Sequence, residues 1–256
     1  MNFLHRFLVL LMIVVAVSGC SRRKVLSKIW FYTYDGTTDQ SGTGDPVLTP
    51  LNFINLQQDG QYTAYLSDFE WGSWSLDGKF IVLKSDKKVT HLKLEKMSEK
   101  EITMDIQPEN RYMASYHFEG TENPGNNTDN PFSKENNLWR IKATHKESDA
   151  EITARLKNHF RYWEKYFDWG VKEDKTSLDV RSLPGPLKMY GNGFTLVPLE
   201  DWAPEWKSNF FDMEDCRIAY NKLHYFFTYE RIAWAKTDHK FKMFVSAFQQ
   251  LQQKID

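Results

Sequence analysis

Asp59-Gly60-Gln61-Tyr62, Gly72-Ser73-Trp74-Ser75-Leu76 and Phe80-Ile81-Val82-Leu83 decide the fold. The Asp-Gly at 59–60 leads from Leu51–Leu56 into Gln61–Leu66, and a second at 77–78 leads from Trp71–Leu76 into Phe80–Leu83. Tight two-residue hairpins need φ > 0 at their centre, which Asp-Gly tolerates, so each pair predicts antiparallel neighbours. The pattern continues on both sides. Ile29–Tyr34 is aromatic and β-branched, Val89 to Leu94 reads as a further strand, and Ile102, Met104 and Ile106 alternate. Tyr112, Ala114, Tyr116 and Phe118 align on one face of a last strand. About eight short strands joined by tight turns predict an up-and-down antiparallel barrel or a two-sheet sandwich.

The same residues carry a family likeness. Asp59-Gly60-x-Tyr62, Gly72-x-Trp74-x-Leu76, Leu92-Lys93-Leu94 and Met97-Ser98-x-x-x-Ile102 resemble the lipocalin-like domain of bacterial lipoproteins, over residues 28–120. In that family a DG-x-Y hairpin precedes a G-x-W-x-L strand. The first strand departs from the lipocalin Gly-x-Trp, reading Lys28-Ile29-Trp30. The resemblance implies the fold and an extracytoplasmic binding or accessory module, and it implies no ligand.

The second half changes period. Residues 121–137 are rich in Asn, Pro and Gly and read as a linker. Residues 138–256 read as a helical domain. Ile152, Leu156, Phe160, Trp163 and Phe167 predict an amphipathic helix over 149–169, with Ser148, Asp149 and Glu151 at its acidic start. Cys216, Ala219, Leu223 and Phe226 predict a second over 213–234, and Phe241, Phe244, Phe248 and Leu251 a third, capped by Thr237-Asp238. A stretch broken by Pro186, Pro198 and Pro204 separates the first two, with a short strand over 194–199, and the glutamines after Phe248 suggest a solvated end. The predicted class is thus α+β: an antiparallel lipocalin-like β-barrel of about eight strands, then a mostly helical C-terminal domain packed on it or across its mouth.

The N-terminus is an address. Arg6, the apolar run Phe7 to Val17 and the small residues that follow have the three parts of a secretory signal, residues 1–19. The apolar run is too short for a bilayer-spanning helix. Val17-Ser18-Gly19-Cys20 resembles a bacterial lipobox. The resemblance implies lipid (a diacylglycerol thioether, palmitate among its chains) on Cys20, cleavage before it, and anchoring in a membrane. Ala16-Val17-Ser18 also fits an ordinary cleavage site, which would release a soluble protein. Residues 20–27 read as a lipidated tether, whose basic Ser21-Arg22-Arg23-Lys24 lies next to anionic headgroups. The acidic export signal of some surface lipoproteins is absent after Cys20, which favours the periplasmic face of the outer membrane.

Composition narrows the partners. Lys and Arg number 33 and Asp and Glu 34, so no basic field invites nucleic acid. There are 2 cysteines. With Cys20 lipidated, Cys216 stands alone on an apolar helical face, which excludes a disulfide framework and a cysteine-based zinc site. Nucleotide, hydrolase and zinc motifs are missing, and no cofactor is expected. His117 and Glu119 share a strand face but are two ligands only, and turn chemistry explains Asp59 and Asp77. His159, Glu164, Asp168, His224 and Glu230 could place acid and base between helices, yet the same residues read as boundary and solvated positions. No catalytic residue is assigned, and the expectation is a protein that is not an enzyme.

The abundance of rings (9 Trp, 12 Tyr, 18 Phe) fits a rigid core or a ring-lined surface. Trp163, Trp202 and Trp206 are the candidates for a ligand or partner surface, and Arg217, Lys222, Arg231 and Lys236 flank an aromatic stripe on the second helix. The functional expectation is a periplasmic lipoprotein that binds an apolar small molecule or an envelope protein. The alternatives are a structural subunit of an envelope or secretion complex, an immunity-type lipoprotein, or a His/carboxylate hydrolase.

Overall fold

The computed structural model describes residues 22–33, 52–66, 68–106, 115–123, 128–174, 185–190, 193–237 and 240–255. Residues 1–19, Cys20, Tyr112, Ala114 and Asp238 lie outside them. The chain forms two compact units, Met1–Asn123 and Pro124–Asp256. Among the described residues no helix is long and apolar enough to cross a membrane.

The first unit is a closed antiparallel barrel of eight strands in sequence order. These are β1 (Ile29–Tyr32), β2 (Phe53–Leu56), β3 (Gln61–Tyr65), β4 (Phe69–Asp77), β5 (Phe80–Lys84), β6 (Val89–Met97), β7 (Glu101–Asp105) and β8 (Ser115–Thr121). Closure comes from β1, which pairs with β2 through Trp30 and Ile54 and with β8 through Trp30 and Gly120. The Asp-Gly turns act as their chemistry requires: Gly60 and Gly78 have φ of 92° and 58°, and the Asp59 carboxylate accepts from the Gln61 amide at 2.9 Å. The architecture is consistent with a lipocalin-like fold, and helices follow it in the chain.

Register brings alternate residues inward. Trp30 faces Ile54, Ile54 faces Ala64, Trp74 faces Leu83, Ile81 faces Leu92, Leu94 faces Met104, and Ile102 faces Phe118. These side chains form one buried cluster with Tyr32, Tyr62 and Tyr116. Trp30, Ile54, Ala64, Ile81, Leu83, Leu92, Met104 and Phe118 have no accessible surface at all. A ligand cavity would leave its walls accessible, so the described interior is filled by its own side chains. An eight-stranded barrel is narrow enough for that.

The basic run after Cys20 is not a free tether in its described part. Residues 22–26 form a helical turn whose Leu26 is fully buried in the barrel cluster. The Trp30 indole donates to the Leu26 carbonyl at 2.9 Å and fixes the turn to β1. An apolar side chain every few residues lets even a basic segment pack if one stem points inward.

The second unit is built on α1 (Asp149–Lys172). Ser148 caps it by accepting from the Glu151 amide at 3.3 Å, while Glu151 accepts from the Ser148 amide at 2.7 Å. Those bonds, with His145 next to them, hold the Glu151 carboxyl down at about 2. Next come a hairpin of β9 (Leu187–Tyr190) and β10 (Gly193–Leu196), then α2 (Pro204–Lys207), α3 (Met213–Tyr229) and α4 (Lys240–Lys254). The hairpin takes the place of the single strand expected over 194–199. α1 and α4 interleave rings, with Phe167 at 4.9 Å from Phe244 and at 5.9 Å from Phe248.

The Asn-rich stretch is packed where it is described. Asn130, Asn136 and Asn137 are buried, and their amides replace helix and sheet bonds. Asn136 donates to the Thr128 and Asn130 carbonyls at 3.0 and 2.8 Å, and Asn137 to those of Pro131 and Ser133 at 2.7 Å each. This frame seats Phe132 edge-on against Trp169 at 5.4 Å and leads into the 3-10 helix Glu135–Arg140.

Candidate functional site

Two aromatic groupings in the second unit compete for a functional role. One is buried and one is exposed. The buried one contains the three tryptophans singled out by the sequence. Trp163, Trp202 and Trp206 are 0, 1 and 0 % exposed, so they present no surface to a partner. The correction has a local cause. Trp163 lies on the apolar side of α1. Trp202 and Trp206 flank Pro204, which starts α2 and turns both rings inward. The Trp202 indole donates to the Val197 carbonyl at 2.9 Å, and Trp206 packs on Phe210 at 5.3 Å.

His159 sits inside this grouping. Its ring centroid lies 4.5 Å from both Trp139 and Trp206 and 6.3 Å from Trp163. A Cβ on Gly185 would come within 2.8 Å of its Cε1 and Nε2, so the absence of a side chain at Gly185 lets the backbone close over the imidazole. Burial first, and the Arg140 guanidinium second, hold its pKa well below the usual histidine range. Arg140 itself stacks over Trp139 and Tyr162, at 4.2 and 4.9 Å from the ring centroids. The imidazole is therefore neutral and enclosed by rings.

The expected acid/base pairs are not brought together. His224 is exposed beside Tyr220, and Glu230 pairs with Lys254 at 3.2 Å. Glu164 accepts from Gln249 and Gln252 at 2.9 and 2.7 Å, and Asp168 pairs with Lys172 at 2.7 Å. Cys216 is buried, and burial with Asp215 beside it pushes the thiol up to about 11. Among the described residues no group of three or more His, Cys, Asp or Glu is placed to hold a metal.

The exposed grouping lies on α3. Asp212 caps the helix by accepting from the Glu214 and Asp215 amides at 2.8 and 3.0 Å. Cys216, Ala219, Leu223 and Phe226 form its buried face. The ridge Met213, Arg217, Asn221, Tyr225, Tyr229, with four-residue spacing, is exposed throughout. Tyr225 and Tyr229 are 65 and 71 % exposed, and their rings lie 4.8 Å apart, closely enough to act as one apolar plate. Arg217, in the same ridge, pairs with Glu214. The helix ends at Tyr229 instead of continuing to Trp234, because Glu230 is extended and Arg231 to Trp234 follow it out of the helix. Arg231 and Lys236 therefore do not flank a helical stripe. The aromatic stripe is legible in the sequence, but which of its tyrosines are exposed is not. The four-residue ridge opposite Cys216 and Leu223 was the available signal.

Comparison with known proteins finds no match for this chain: neither a family model, nor a curated sequence, nor a solved structure.

Proposed function

We propose that the protein is a lipoprotein of the bacterial envelope, held by lipid on Cys20 at the periplasmic face of the outer membrane, and that it works as a non-enzymatic accessory module for a protein partner. The exposed Tyr225–Tyr229 plate carries the reading. Two adjacent tyrosines gain little from water and offer large, rigid contact area at low entropic cost, which is the composition of binding hot spots. An apolar small molecule in the barrel would have to displace side chains that already fill it, so we place recognition on the surface.

A photoreactive residue at Asn221, between the tyrosines and Arg217 on the ridge, tests the partner in living cells. The expected result is one discrete, stoichiometric adduct that Tyr225→Ser with Tyr229→Ser removes while the fold is kept. Diffuse or absent adducts would overturn the reading. Metabolic labelling with a palmitate analogue tests the anchor, and incorporation should vanish in Cys20→Ala.

A further inference from the structure

We infer that the plugged end of the barrel rests on the bilayer, with anionic phospholipid headgroups as its partner; this builds on the proposed anchor at Cys20. In an up-and-down barrel alternate turns share an end. Turns 57–60, 77–80 and 97–101 lie at the end where β1 begins, and residues 66–68 and 85–88 lie at the other. The helical turn at 22–26 closes the first of these ends. Arg22 donates to the Gly78 carbonyl at 3.4 Å, and the Arg23 guanidinium lies 5.2 Å from the Trp74 ring centroid. Just beyond it, Lys28 donates to the Glu99 carbonyl at 3.0 Å. The element nearest the anchor is thus part of the barrel, fastened to the 77–80 turn at Gly78 and to the Trp74 ring of β4, with Lys28 fastened to the 97–101 turn.

Chain length then sets the distance. Cys20 and Arg22 are two peptide steps apart, which spans at most about 7 Å. Electrostatic attraction in physiological salt reaches about 8 Å. The exposed Arg22 therefore falls within range of the headgroups whenever the lipid is inserted, and Arg23 and Lys24 follow it on the same helical turn. Lys79 and Lys100 meet Asp59, Asp77, Glu99 and Glu101 in the turns of that end, so it is the three cations of the helical turn that tip its balance to positive. A barrel joined this closely stands on the membrane and does not swing from it. Its opposite end, where Asp86 sits beside Lys87 and Lys88, points into the periplasm, about 20 Å away along the axis for strands of this length and usual tilt.

The test uses the full lipidated chain in phosphatidylglycerol-containing vesicles that carry a spin-labelled headgroup lipid. Fluorophores go on Lys79→Cys or Asp86→Cys, one per protein. Cys216 is buried and stays unlabelled in the native state. The label at 79 should be quenched several-fold more than the label at 86. Equal quenching, stronger quenching at 86, or none at either would overturn the proposal. In the anchored variant with Arg22, Arg23 and Lys24 all changed to Gln, quenching at 79 should fall by half or more; unchanged quenching would overturn the headgroup contact. Mass spectrometry of the N-terminus is read first. An unlipidated Cys20 would mark failure of the anchor itself, separately from the orientation.

Discussion

Gly120 and Trp30 face each other across the β1–β8 seam that closes the barrel, and a Cβ on Gly120 would stand 2.6 Å from Cζ3 of the Trp30 ring. The ring lies over bare backbone. It has no room to retreat, because it is fully buried and its Nε1 is tied to the Leu26 carbonyl at 2.9 Å. Gly120→Ala should destabilise the barrel by about 1–3 kcal/mol through overpacking, despite the entropic gain of losing a glycine. Urea unfolding measures it. Combined with Trp30→Leu, which makes the space, the alanine should cost less than it does alone, and strict additivity would show that the two positions do not interact.

His159 should make the second unit acid-sensitive. Its folded pKa lies below the unfolded value of 6.5, lowered by burial and then by Arg140. The unfolded chain then binds a proton that the folded chain refuses. The contribution is fully present above pH about 6.5 and is lost as pH falls toward the folded pKa. One proton over this window corresponds to about 1.4 kcal/mol between pH about 7.5 and about 5.5. Denaturant titrations at the two pH values should show this loss in the native sequence and its absence in His159→Phe. An equal loss in both would place the acid sensitivity elsewhere.

The barrel was legible because its information is local. Asp59-Gly60 and Asp77-Gly78 specify turns by φ preference, and alternation on both sides specifies the inward face. What escaped reading depends on distant partners. Arg22-Arg23-Lys24 reads as solvated until Leu26 is seen to be inside the barrel. Asn130, Asn136 and Asn137 read as linker because composition does not reveal that amide side chains will satisfy nearby carbonyls. Trp202 and Trp206 read as a surface because a proline-broken segment carries no periodicity to say which way its rings turn. The α3 ridge was half legible: four-residue spacing predicts which residues share a face, and only the neighbours decide which face is covered.

Cys216 should be inert until the chain unfolds. Its thiol, pushed up to about 11 and enclosed, leaves about one molecule in a thousand as thiolate at pH about 8. A thiol-specific chromogenic reagent should therefore find nothing at Cys216 on the native protein. After denaturation, one thiol per chain should react if Cys20 carries lipid through its sulfur, and two if Cys20 is free and retained. Rapid native reaction at Cys216 would contradict the burial.

Gln250 should hold the segment after α3 in place. Its Oε1 accepts from the Ala233 amide at 2.8 Å and its Nε2 donates to the Ala233 carbonyl at 2.9 Å, so one side chain mimics a strand partner for that residue. The clamp is attached to α4 by a further bond from Nε2 to the Ser246 carbonyl at 3.2 Å. It keeps Trp234 against Phe194 and Phe244, with centroids 5.3 and 6.4 Å away. Gln250→Ala removes both bonds to Ala233 at a partly exposed site, where each is worth on the order of 1 kcal/mol or less. Global stability should fall by about 1 kcal/mol, while exchange of the Ala233 amide should accelerate far more than exchange of amides in α1. Gln250→Glu keeps the acceptor and loses the donor, so it should protect the Ala233 amide better than alanine does. Equal exchange at Ala233 in all three proteins would show that the segment is held by its rings alone.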